Sequence, residues 1–134
     1  MFYAWDITIP AGQAEAAPVT QILKLSKGVI TRIDVKFPRG CHGLVKVHLL
    51  RDEFQLVPLS RGEWVTGDSE TVPTEGYYEL VETPAQLKFV GCSPGTSYDH
   101  TVTVRVSILP KSVASLIPLM ELLTRMLQRM GVLG

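Results

Sequence analysis

The stretch Tyr98 to Leu109, Y-D-H-T-V-T-V-R-V-S-I-L, constrains the fold more than any other part of the chain. From Thr101 the alternation is strict. Val102, Val104, Val106 and Ile108 fall on one side; Thr101, Thr103, Arg105 and Ser107 fall on the other. Period two with four β-branched apolar positions is the pattern of a strand with one buried and one wet face. Such a strand needs a core built by other segments.

The chain supplies those segments. Phe2 to Ile9 alternates, with Tyr3, Trp5, Ile7 and Ile9 against Ala4, Asp6 and Thr8. Val19 to Ser26 follows an Ala-rich crossing, with Leu23 and Leu25 inward. Lys27-Gly28 turns into Val29 to Phe37, where Ile33, Val35 and Phe37 face in, and the short Ser26-Lys27-Gly28 link suits a hairpin. Pro38-Arg39-Gly40 turns again, and Leu44 to Leu50 places Val45, Val47 and Leu49 inward. Arg51-Asp52 reverses the chain into Glu53 to Val57. Pro58 to Gly76 reads as a long irregular region, with Trp64 and Val65 as a short strand inside it. Tyr77 to Val81 and Gln86 to Val90 are two more strands. Most links are too short for the crossovers of a parallel sheet. The pattern therefore predicts an all-β fold, an antiparallel two-sheet β-sandwich of jelly-roll type, over residues 1–110. Ile33, Val35, Val45, Val47, Val102, Val104 and Val106 are expected to share one core.

After Pro110 the period becomes helical. Leu116, Leu119, Leu123, Met126 and Met130 recur at three and four, and Met120, Leu122 and Leu127 widen the stripe. Pro118 suits the first turn, Gly131 the stop, and Arg125 and Arg129 the C-terminal end of the dipole. Residues 111–134 thus form a C-terminal amphipathic α-helix, expected from about Ser115 to Met130. Its stripe is wide for a helix lying on one small sandwich. Self-association or partner docking is favoured over packing on its own domain. A membrane surface is disfavoured, because the narrow polar face carries only two basic residues. The interface residues expected are Leu116, Leu119, Met120, Leu123, Met126, Leu127 and Met130.

Composition narrows the function classes. Thirteen basic residues balance thirteen acidic ones in 134, so no electrostatic case exists for direct nucleic-acid binding. No basic stretch followed by an apolar run opens the chain, so no secretory signal is expected. Cys41 and Cys92 read as two separate thiols rather than a pair, though pairing stays open. His42, His48 and His100 lack ligand spacing, and His48 falls on the wet face of its strand. Ser97, Asp99 and His100 lie together in sequence, but neighbours on a strand point to opposite faces, so no triad is expected. Asp68-Ser69-Glu70 lacks the ligand set of a calcium loop. No catalytic, cofactor or metal residues are expected. Trp64, Tyr77 and Tyr78 border the long loop and could stack on a sugar ring as a ligand platform, although such aromatics are more often core.

Three strings carry a resemblance: W-D-I-T-I-P-A-G (Trp5 to Gly12), L-S-K-G-V-I-T-R-I-D-V-K-F-P-R-G-C (Leu25 to Cys41) and Y-D-H-T-V-T-V-R-V-S-I-L-P (Tyr98 to Pro110). The chain resembles small uncharacterised proteins encoded by tailed bacteriophages and related viruses. The resemblance covers most of residues 5–110 and leaves the helix outside. It implies a non-enzymatic virion structural protein: a capsid, capsid-decorating or minor head subunit. Such a subunit would partner copies of itself and other virion proteins, and would reside in the virion after synthesis in the host cytoplasm. A carbohydrate-binding module built on Trp64, Tyr77 and Tyr78 is the alternative.

Overall fold

The structure is a computed structural model that describes residues 2–110 and 117–129. The alternating segments form nine strands among the described residues: β1 (Phe2–Ile9), β2 (Val19–Lys24), β3 (Gly28–Phe37), β4 (Lys46–Arg51), β5 (Phe54–Val57), β6 (Val65–Thr66), β7 (Glu70–Leu80), β8 (Gln86–Cys92) and β9 (His100–Leu109). One helix follows, α1 (Ile117–Arg129).

Two sheets result, with strand orders β1-β9-β3-β7 and β2-β8-β4-β5, and the two-residue β6 pairs with β4. Every pairing is antiparallel. With β6 set aside, the first strand pairs with the last, the second with the last but one, the third with the last but two, and the fourth with the fifth. That order is a jelly roll: one long hairpin of strand pairs, rolled so that its halves become facing sheets.

Register carries the alternation into packing. Trp5, Val104, Val35 and Val72 stand opposite one another across the first sheet, and Tyr3, Val106, Ile33 and Thr74 form the next row. Gln21, Phe89, Leu49 and Val57 form a row in the second sheet. Directly opposed residues share a face, so one buried residue in a row turns its neighbours inward as well. All seven residues expected in the core are buried in one cluster, with Val104 fully shielded. The outer face of the first sheet is polar. There Arg32 pairs with Asp34 at 2.9 Å and Glu75 at 3.0 Å, and Thr103 donates to Asp6 at 2.6 Å.

Three expectations are corrected. The Ser26-Lys27-Gly28 link is no hairpin, because β2 lies in one sheet and β3 in the other. Three residues span about 10 Å, which is also the distance between packed sheets, so link length fits both arrangements. Gly28 is required at this step: a Cβ there would lie 2.5 Å from the Leu109 carbonyl oxygen. Next, the last part of the supposed loop Pro58 to Gly76 is strand, since β7 begins at Glu70 and runs 11 residues. Pro73 hid it. Proline cannot donate to a ladder, but β7 is an edge strand, where that loss is tolerated. Finally, the fourth strand starts at Lys46 rather than Leu44, although Val45 is buried as expected. The Arg51-Asp52 reversal is present, with Asp52 in the left-handed region at φ 53°.

Candidate functional site

The helix carries the first apolar feature outside the core. It starts at Ile117 with Pro118 in its first turn, and Arg129 ends it. Leu119, Met120, Leu122, Leu123 and Met126 are each at least half exposed, and Leu127 is half-buried. Helical spacing sets these six on one arc, with Arg125 and Arg129 along the border beside Leu122. Leu116 and Met130, expected to extend the same stripe, lie outside the described residues. The 13-residue helix is about 20 Å long. No described helix is long and apolar enough to cross a membrane.

A second apolar feature lies on the sandwich, along the seam between edge strands β5 and β7. A bulge in β3 between Ile30 and Arg32 leaves Thr31 as an extra residue there, while β7 carries Gly76 and Tyr77 as its own extra residues at the same place. Bulges bend strands and re-aim side chains. Here they border a groove of about 250 Å³, floored by Ile33 and Leu56 and rimmed by Phe54, Leu59, Tyr77 and Tyr78. Phe54 is 57% and Leu59 69% exposed. The Phe54 and Tyr78 rings stack across the seam with centroids 6.4 Å apart. An adjoining hollow of about 360 Å³ shares Phe54 and Tyr78 and is lined by Asp52, Glu53, Glu79 and Glu82, with Arg51 as its cation.

The aromatic platform is only partly assembled. Tyr77 and Tyr78 share the seam groove, but Trp64 lies elsewhere. Val47 and Leu49 of β4 are buried in the core, so His48 between them projects from the outer face of the second sheet. Trp64 stacks on the His48 ring at 4.1 Å and donates its indole N–H to Glu15 at 3.2 Å. His48 is thus half-buried under an aromatic lid, where simple alternation expected a wet position. Burial pushes its pKa below the ordinary 6.5; Lys88 adds to the depression, and a hydrogen bond to the Glu63 backbone opposes it.

The other singled-out residues organise loops. His100 opens β9 and is buried; its Nε2 lies 3.2 Å from the Gly40 carbonyl, and its ring packs against Tyr98. Asp99 accepts from the Ala11 backbone N–H at 2.9 Å, tying the β8–β9 loop to the β1–β2 loop. Asp68 accepts from the N–H groups of Gly40 and Cys41 at 2.8 and 3.1 Å, and His42 approaches it at 3.6 Å. Cys41 and Cys92 are separate buried thiols, both with pKa raised chiefly by burial. Among the described residues, no group of three or more His, Cys, Asp or Glu is placed to hold a metal ion.

Two organising residues escaped the sequence reading. Arg51 is buried and donates to the carbonyls of Pro84, Gln86 and Glu82, pinning the β7–β8 turn. Gln55, also buried, donates to the carbonyls of Pro58, Ser60 and Glu63 and accepts from the Gly62 N–H. Arg51 is a charged residue at an inward position of β4, and that break in the apolar pattern is its only signal; Gln55 pairs with the outward Leu50 beside the β4–β5 bulge and leaves none.

Compared with known proteins, the sequence matches no family model and no curated relative.

Proposed function

We propose that the protein is a non-enzymatic structural subunit of a virus particle, a capsid or capsid-associated jelly roll that assembles with its own copies and with other virion proteins. The observation that carries this reading is the exposed apolar arc of α1, with five large Leu and Met side chains at least half in water. Each such side chain contributes roughly 1.5–3 kcal/mol when it leaves water. Contiguous apolar surface of this kind marks an interaction site. The jelly roll itself is a fold common to viral shells and lectins, and the resemblance of three strings to phage-encoded proteins favours the shell. The carbohydrate-binding alternative loses support from geometry, since the Trp64 ring is occupied by His48 and stands apart from Tyr77 and Tyr78.

The test is light scattering after size exclusion, with circular dichroism, on wild type and Leu123→Glu. Wild type is expected as a multimer and the variant as a monomer with the same β-sheet spectrum. Equal, stable monomers for both would refute assembly through the helix. Mass spectrometry of purified particles from a producing culture addresses the virion itself: the chain is expected at structural copy number, and its absence from particles overturns that assignment.

A further inference from the structure

We infer that the groove at the β5–β7 seam is the receptor for helix α1 of a second copy of this chain. This rests on the assembly reading above and names the surface that the helix meets. Among the described residues, each chain displays both halves of a contact that it does not close on itself: an apolar helical arc and an apolar groove. The groove is walled by aromatic and branched side chains, Phe54, Leu59, Tyr77 and Tyr78, of the kind that accept Leu and Met knobs from an amphipathic helix.

Charge selects the occupant and its direction. Beside the groove, the hollow carries four carboxylates, Asp52, Glu53, Glu79 and Glu82, against one arginine, Arg51, which donates to three backbone carbonyls and lies 3.9 Å from Asp52. The helix carries Arg125 and Arg129 against Glu121 alone, and both arginines border the apolar arc. A helix lying with Leu119 and Leu123 in the groove and its C-terminal end towards the hollow would set both arginines against the carboxylates. The same direction places the negative end of the helix dipole near the carboxylates, and the arginines offset it. Because the two surfaces differ, one-way docking generates a ring or an open array, whereas reciprocal exchange of the two helices closes a two-fold dimer.

Disulfide trapping tests this. Leu59→Cys and Leu123→Cys proteins are purified separately, mixed and oxidised, so that a bond between them can form only between chains. The native thiols are buried and remain in place. The mixed pair is expected to crosslink at least about tenfold more than Leu123→Cys with Leu44→Cys, a control site on the β3–β4 loop, because docking raises local thiol concentration. Charge reversal of Arg125 and Arg129 to Glu should abolish the crosslink, and mixing that protein with Glu79→Arg/Glu82→Arg should restore it. If wild type is multimeric but the groove pair crosslinks no more than the control, assembly stands and this docking site is wrong. If the double variant Leu59→Cys/Leu123→Cys instead closes a bond within a monomer, the helix belongs to its own groove, and both readings fail.

Discussion

At the scale of single residues, the side chains that matter most for stability are polar ones in apolar places. His48 lies flat on Trp64, with its Nδ1 buried and unpartnered. A protonated imidazole is poorly accommodated there, and burial holds the native pKa below 6.5. The unfolded chain therefore takes up the proton first as pH falls. The contribution to stability is complete above about 6.5 and is lost as pH drops from there through the native value. Urea midpoints measured between pH 7.5 and 5 should decline, and His48→Phe should flatten that decline; equal slopes would show that His48 is not the group responsible. Gln55 makes the complementary case. The two N–H bonds of its amide are shared among three carbonyls, and its oxygen accepts from one N–H, in the Pro58–Glu63 turn. Truncation in Gln55→Ala should cost about 2–3 kcal/mol and expose the turn to protease. A loss of only a few tenths in urea melts would mean that water replaces the amide at little cost.

At the scale of elements, position in the sheet decides what a strand residue is worth. β9 lies between β1 and β3, and its inward valines are fully shielded. Val104→Ala should destabilise by about 1.5–3 kcal/mol, read from chemical denaturation. β7 sits at the edge of the same sheet, and Pro73 interrupts the row of donors it would otherwise present. Pro73→Val is therefore expected to leave thermal stability near wild type while raising concentration-dependent light scattering; no change in scattering would show that Pro73 does not guard the edge.

At the scale of the whole molecule, the sandwich and the helix are separable in their energetics. Among the described residues, the buried cluster is drawn from residues 7–108 and includes none from α1. A chain ending at Pro110 should keep the cooperative unfolding and β-sheet spectrum of the full protein and lose its self-association. Unfolding of that truncated chain at room temperature would place the helix in the core after all. The loop-rich end of the sandwich explains this independence. The Ser93 hydroxyl donates to the Pro10 carbonyl at 2.7 Å, Asp99 holds Ala11, and Asp68 holds Gly40 and Cys41. These bonds cross-link the connections without help from the helix.

What the amino-acid sequence determined by itself is local and periodic. Alternation from Val102 to Ile108 announces one buried face because a strand has period two, and the spacing of Leu119, Leu123 and Met126 announces a helix with one apolar arc. Both depend only on neighbours in the chain, and both are present in the structure. Tertiary structure decided whatever depends on partners distant in sequence. Only pairing of β7 with β3 reveals that Glu70 to Gly76 is strand despite Pro73, and only sheet assignment shows that the Ser26–Gly28 link crosses the sandwich. The separation of Trp64 from Tyr77 and Tyr78 and the opening of the seam at the paired bulges have the same origin. Side-chain direction is written in the local period, but which surface that side chain meets is set by which strands become neighbours.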